Sequence, residues 1–405
     1  MSQNRKNSIF ARMKHLNGRI REGKERDIYP YMQTAEKIDG MYVTINERRL
    51  LQFTSYAYLD LLNHPKVRQA AQSALTEFGT GTQGARFLSG TTKIHVELEN
   101  TIAQFKKTDE AMVLPSGYVT NLGTISALVG RNDVVICDKL NHASIMDGCA
   151  LSRARFIRFE HNDMEDLEKA LAEAPKNSAK LIVVDAVFSM EGDIVNLPEV
   201  IRLSQKYDAM LMVDEAHSTG VLGETGHGIE EHFGIDDQDA IDVRMGTLSK
   251  AISSLGGYIA GSSELITYLK HTVRSFIFSA ALPPPLAAAA KASFEVIEEE
   301  PERVKKLREN TNYFIQGLVK RGFPSLNNLR TPIIPIMTGD DERALIMAKA
   351  LQEEGVFVLP VLSPAVPSGS SRIRATVTAG HSPDQLEFAI KAFEKAAKNV
   401  GILPG

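Results

Sequence analysis

The sequence predicts an α/β fold, a large and mostly parallel sheet followed by a smaller C-terminal α/β domain. Three observations carry this. From about residue 64 onward, short apolar runs alternate with stretches of helical periodicity. Strands joined through helices form crossover units, which pair in parallel. Leu181-Ile182-Val183-Val184 and Met210-Leu211-Met212-Val213 are unbroken apolar runs, as strands covered on both faces must be. Finally, Leu282-Pro283-Pro284-Pro285 punctuates the chain before an alanine-rich helix and a differently patterned remainder.

Taken in order, the periodicity gives helices over 64–76 and 93–105, a strand over 111–114 and a helix over 117–128. A strand over 133–137, a helix over 143–151 and a strand over 154–159 follow. Then come a helix over 164–172, a strand over 180–184, a helix over 197–206 and a strand over 209–213. Beyond the proline run lie the alanine-rich helix, a long helix near 301–320, short strands and a last helix over 383–399. The expected division is an N-terminal segment 1–60, a large domain 61–290 and a small domain 291–405. The basic stretch 5–26, interrupted by apolar residues, reads as an amphipathic helix with a solvated face rather than a binding tail.

Composition sets the class. The 405 residues are 43% hydrophobic and 24% charged, an ordinary globular balance with ample core. Net charge is −4 without a long basic block, which argues against nucleic acid. No run approaches the ~18 apolar residues of a membrane span, and no apolar leader follows Met1. Cys137 and Cys149 lack metal-ligand spacing, so no metal site is expected and a reducing cytoplasm fits.

In open parallel sheets, ligands gather at the carboxyl ends of strands. Asp185, Asp214 and Lys250 all fall just beyond such ends. Lys250 closes Gly246-Thr247-Leu248-Ser249-Lys250, after the run Ile241-Asp242-Val243-Arg244-Met245. An amine beside small hydroxyls suits a phosphate-bearing aldehyde: the amine forms a Schiff base, and Thr247 and Ser249 hold phosphate oxygens. Asp214, in Val213-Asp214-Glu215-Ala216-His217-Ser218, can keep a pyridinium nitrogen protonated, although a helix N-cap is an equally ordinary use of such an aspartate. Together they point to pyridoxal phosphate. Gly117 and Tyr118 open a helix after Pro115-Ser116, where backbone N–H groups meet an anion. Asp185 reads as a tether between strand ends and loops. Arg372 and Arg374 share one face of a strand, and a guanidinium there forks onto a carboxylate.

The chain resembles the α-oxoamine synthases, pyridoxal phosphate enzymes of the aspartate-aminotransferase fold (fold type I). The resemblance runs from about Tyr29 to the C-terminal helix. Besides the segments above, Gly84-Ala85-Arg86-Phe87-Leu88-Ser89-Gly90-Thr91, Phe188-Ser189-Met190-Glu191-Gly192-Asp193 and Ser363-Pro364-Ala365-Val366-Pro367 carry it. It implies that His142 stacks on one face of the cofactor ring and Ala216 on the other. His217 and Ser189 would lie near the phenolic oxygen, and Ser279 would reach the phosphate from a second subunit of a homodimer. It selects Arg374 for the substrate carboxylate and brings Arg86 in as an acyl-CoA contact, a structural ion pair being the other reading. Lys250, Asp214, His217 and His142 become the catalytic set.

One departure stands out. Where the family shows Ser-Asn-x-Tyr-Leu-Gly, this chain has Ser55-Tyr56-Ala57-Tyr58-Leu59-Asp60. A phenol cannot offer an amide's donor and acceptor together, so Tyr56 alters the contact with the amino acid. The implied reaction is decarboxylative condensation of a small α-amino acid with an acyl-CoA or other acyl thioester. A serine palmitoyltransferase-like activity ranks first. The 2-amino-3-ketobutyrate CoA ligase and 8-amino-7-oxononanoate synthase activities follow, then a specialised biosynthetic member, a plain aminotransferase and a non-catalytic subunit.

Overall fold

The computed structural model describes residues 9–404. Its centre is a seven-stranded sheet in the order Glu110–Leu114, Gly257–Gly261, Val243–Thr247, Met210–Asp214, Lys180–Asp185, Val134–Asp138, Arg155–Phe159. The last five of these pair in parallel, and Gly257–Gly261 runs antiparallel to both neighbours. Every residue of Val134–Asp138 is buried, as the apolar runs require of strands with helices on both faces. The helices and strands expected between 64 and 213 are all present, with ends shifted by at most two residues.

The antiparallel strand is absent from the sequence expectation, and its glycines explain the omission. A Cβ on Gly257 would lie 2.4 Å from Thr120 Oγ1 and 2.7 Å from Gly117 Cα. Glycine lets this strand lie against the first turn of helix Gly117–Leu128 and so brings that turn to the strand ends.

A second layer contains the antiparallel sheet Ile333–Gly339, Ser371–Thr376, Pro360–Val361. Helices Glu302–Lys320, Asp341–Glu353 and Pro383–Asn399 belong with it. The N-terminal strands Lys37–Asp39, Tyr42–Ile45 and Arg48–Gln52 are extended by Val356–Phe357, in parallel with Arg48–Gln52. Met41, Leu51 and Phe53 enter one apolar core with Phe314, Ile373 and Phe393. Phe53 stacks on Phe314 at 5.1 Å and on His381 at 4.5 Å. Thr376 N donates to Phe53 O at 2.8 Å and Ala379 N to Tyr58 O at 2.7 Å. These bonds hold the segment after Phe53 over the strand ends of the large sheet.

Helix Ile9–Glu25 buries none of its residues, and Ile9, Phe10, Met13 and Leu16 stand exposed. Residues 5–8 of the expected amphipathic helix lie outside the described residues. No helix among the described residues is long and apolar enough to cross a membrane.

Candidate active site

Strand register sets the centre. Asp185 and Asp214 are direct partners at the carboxyl ends of adjacent parallel strands, and Asp214 also pairs with Met245 on the next strand. Lys250 follows that strand by one turn. Burial pushes the Lys250 amine down to about 8, with the Arg374 charge adding to the effect and Asp214 and Asp185 opposing it. Burial is also what holds His217 well below the usual imidazole range, helped by the charges of Lys250, Arg374 and His142. His142 is lowered by burial too, with Asp214 opposing and Lys250 and Arg374 reinforcing. Lys250, Asp214, His142, His217 and Arg374 are therefore close enough to feel one another, as the sequence expects.

Asp214 is held on two sides. Its Oδ2 accepts from Asn121 Nδ2 at 2.7 Å, and its Oδ1 from Ala216 N at 2.9 Å. Each carboxylate oxygen keeps a free lone pair for a further donor. Asn121 also donates to Ser144 Oγ at 2.9 Å, tying the aspartate to the first turn of helix Ala143–Ser152. His142 caps that helix through Nδ1, and its own N–H donates to Asp185 Oδ2 at 2.7 Å. The backbone N–H of Asp185 donates to Asn141 Oδ1 at 3.1 Å, so Asp185 tethers the loop as expected. Burial and the neighbouring Asp214 raise its carboxyl well above the usual range.

Small hydroxyls meet a helix start beside this centre. Thr247 Oγ1 lies 2.9 Å from Ser249 Oγ, and a Cβ on Gly117 would stand 3.0 Å from Thr247 Oγ1. Gly117 and Tyr118 begin a twelve-residue helix whose N-cap, Ser116, accepts from Val119 N. This is a cradle of hydroxyls and free N–H groups at the positive end of a helix. The Tyr118 hydroxyl donates to Asp147, and its ring lies edge-on to His142 at 6.2 Å.

The two candidate arginines separate cleanly. Arg372 donates to Glu191 Oε1 at 3.0 Å, Met190 O at 2.9 Å and Ser370 O at 3.0 Å, which fixes the turn after Ser189. Arg374 is equally buried, yet only its Nη1 is bonded, to the Tyr56 hydroxyl at 3.2 Å. Nε and Nη2 have no partner. Tyr56 also places its ring under the guanidinium at 4.8 Å. Two unbonded N–H groups of a buried fork match a carboxylate.

Arg86 is not brought into this cluster by any recorded bond among the described residues. Its guanidinium grips both oxygens of buried Glu99, at 2.8 and 2.9 Å, and Thr91 Oγ1 at 3.1 Å. Glu99 in turn accepts from Val113 N at 3.0 Å. That is the ion-pair reading of Arg86, and it leaves the acyl-CoA contact without support. Ser279 is half-buried beside Ala280, which bridges to Ala85. Ser189 is half-buried in the turn that Arg372 holds.

Three residues escaped the sequence reading. Asn121 sits one helical turn after Gly117, on the same face, which is the signal that could have found it. Tyr58 lies two residues beyond Tyr56, and its hydroxyl is 2.8 Å from His217 Nδ1. Glu215, wholly buried, pairs with Lys106 at 2.5 Å and accepts from Ser218 Oγ and Ile229 N, pinning the loop that carries Ala216 and His217. Gly228 (φ +108°) makes room for it, since a Cβ there would meet Glu215 Oε2 at 2.1 Å.

The chain as a whole is similar to proteins of known family. Residues 48–393 match the aminotransferase class I and II family. The chain belongs to that family. It is 44% identical over 397 residues to a serine palmitoyltransferase of Sphingobacterium spiritivorum, covering 98% of each chain. It is 43% identical over 388 residues to 8-amino-7-oxononanoate synthase 1 of Bacillus subtilis, covering 96% of this chain and 98% of the other. A solved serine palmitoyltransferase structure with PLP internal aldimine superposes at TM-score 0.94 and 33% identity, covering 98% of this chain and 100% of the other. Within the family, these relatives put the chain among the α-oxoamine synthases, and the fold is that of the fold type I transferases.

Proposed function

We propose that this protein is a pyridoxal phosphate-dependent acyltransferase that condenses a small α-amino acid with an acyl thioester, releasing CO2 and an α-aminoketone. The observation that carries the reading is the meeting of three things at the strand ends. These are a lysine with a depressed pKa, an aspartate held by Asn121, and an arginine with two unbonded donors. Bound there, pyridoxal phosphate supplies an electron sink for the substrate α-carbon.

The chain's own groups do the rest. Lys250 carries the cofactor covalently and, titrating near working pH, takes and returns the proton at the substrate α-carbon. Asp214, oriented by Asn121, would keep the ring nitrogen protonated. His142 and Ala216 would hold the ring between them. Ser189 and His217 would attend the phenolic oxygen, and His217 would also serve the acyl carbonyl oxygen. Thr247, Ser249 and the N–H groups of Gly117 and Tyr118 would hold the phosphate. Arg374 grips the amino-acid carboxylate, and Tyr56, against that same guanidinium, sets which side chains fit.

We further propose a homodimer in which Ser279 of one protomer completes its partner's phosphate site, and a cytoplasmic location consistent with the two buried free thiols. Among acceptors, serine leads, with glycine and alanine next. The donor is an acyl-CoA or a carrier-bound acyl group. The test is a matrix of amino acids against acyl-CoAs read by thiol release. The reading expects thiol release that needs both substrates. Accumulation of pyridoxamine phosphate with an amino acid alone, and no thiol release with any pair, would overturn it in favour of transamination.

A further inference from the structure

Tyr58 has no place in the reaction as described, yet it is fully buried and points at one catalytic side chain. Its backbone is fixed by its own N–H to Tyr56 O at 2.8 Å and by Ala379 N to its carbonyl at 2.7 Å. Its ring lies edge-on to His217 at 6.1 Å, as does the ring of Tyr56 at 6.2 Å. The phenol oxygen is 2.8 Å from His217 Nδ1. We infer that Tyr58 is a positioning residue: its hydroxyl donates to Nδ1 and so fixes the ring proton of His217 on Nε2.

The direction of the bond follows from the surroundings. A neutral imidazole has one N–H and one lone pair, and which nitrogen carries the proton is set by the bond the other makes. His217 is neutral, because burial and the nearby Lys250, Arg374 and His142 charges all disfavour its cation. Tyr58 is a phenol and not a phenolate, because burial raises it far beyond the usual range and the Arg374 charge offsets only part of that. The same Arg374 charge attracts the lone pairs of the phenol oxygen. The O–H is thereby left to point at His217.

The consequence rests on the proposed function and deepens it. With the proton on Nε2, His217 offers the substrate side a donor and has no lone pair there. It stabilises an oxygen atom, the acyl carbonyl or the phenolic oxygen, and cannot take the α-proton. That task then falls to Lys250 alone. The motif Tyr56-Ala57-Tyr58 thus divides its work, one phenol against Arg374 and the next against His217.

The experiment is nitrogen-15 NMR on holoenzyme labelled at histidine, with His217→Asn used to assign the His217 signals among the 10 histidines. The inference expects Nδ1 to resonate as an unprotonated acceptor and Nε2 as a protonated nitrogen. Tyr58→Phe keeps the ring and removes the donor, so the two His217 signals should move toward each other as the tautomers mix. In the same variant, kcat should fall roughly 10-fold or more with the amino-acid KM within about twofold, the pattern of a group that acts on the transition state. A proton on Nδ1 in the native enzyme, or unchanged His217 signals in Tyr58→Phe, would overturn the assignment. If Tyr58→Phe does not fold, the native tautomer decides alone. The tautomer is read without turnover, so a protein that releases no thiol can still pass or fail this test.

Discussion

Arg372 and Arg374 stand two residues apart on one strand and are buried alike, but they are treated in opposite ways. Arg372 has a carboxylate and two carbonyls. Arg374 has one phenol and two unbonded nitrogens. The contrast extends outward. At the rim, Arg86 has Glu99 and Lys106 has Glu215, each pair almost wholly enclosed. At the centre, neither Lys250 nor Arg374 has a carboxylate in salt-bridge reach among the described residues. A buried cation without a partner costs stability, and an enzyme tolerates it where a ligand supplies the missing charge. The rim is built for folding and the centre for binding.

The strongest way to break that contrast is to remove the central amine. Lys250→Ala should reduce thiol release by ~10³ or more, since in the proposed reaction it removes both the cofactor anchor and the base. Borohydride reduction of the native enzyme should label Lys250 and no other lysine. Label found elsewhere ends the assignment.

Next in size are paired substitutions across the two zones. Arg374→Ala should raise the amino-acid KM by an amount equivalent to about 2–5 kcal/mol, the loss of a charged partner at a desolvated site. Its unfolding free energy should hold or rise, because no carboxylate is orphaned and the exposed Tyr56 hydroxyl can turn to water. Glu99→Ala should do the reverse, lowering unfolding free energy by about 3–5 kcal/mol by leaving Arg86 buried and unpaired. Denaturant melts of both variants read this, and equal destabilisation would dissolve the distinction.

A gentler probe is pH. His161 bridges Asp138 (3.1 Å) and Asp193 (2.9 Å), linking the end of one central strand to the turn after Ser189. Burial disfavours its charge, but the hydrogen bonds and charges of the two aspartates prevail and push it up to about 10. A folded pKa above the unfolded value near ~6.5 means stabilisation that is complete below that pH and lost as pH rises through about 10. The native melting temperature should therefore fall between pH 7 and 10.5 by roughly a few degrees more than that of His161→Gln. Parallel profiles would mean that the bridge carries no net charge.

The smallest expected effect is on choice of substrate. Tyr56→Asn restores the family's usual residue, and the ranking of glycine, alanine, serine and threonine should shift by a few-fold. An unchanged ranking would place Tyr56 outside specificity altogether, as a support for Arg374.

The centre was largely legible in the sequence because its residues stand in short segments at strand ends, where local order predicts spatial order. Lys250 and Asp214 stand out by their place just after apolar runs, whereas His217 was picked out by the family resemblance. The rim was not legible. Glu215 meets Lys106 across about a hundred residues, and no local pattern announces such a pair. Arg86 shows the converse, a charged residue in a telling motif whose partner, Glu99, lies on the helix that follows. Strand Gly257–Gly261 was hidden by its glycines, which fit the backbone to Gly117 instead of presenting apolar side chains. The strand Arg48–Gln52 lacks alternation, and one of its neighbours comes from residues 356–357.

The return of the late chain to this early segment bears on the order in which the parts of the site are made. Phe53 and Tyr58 take their backbone bonds from Thr376 and Ala379, and Arg374 lies on the same late strand. A nascent chain that has emerged as far as residue 300 already holds Asp214, His217 and Lys250. It still lacks the arginine and the clamp that seats Tyr56 and Tyr58. Until the final hundred residues arrive, such a chain has the strand-end lysine and aspartates without the arginine that faces them, and even the core of the large sheet still waits for Val304, Leu307 and Ile333.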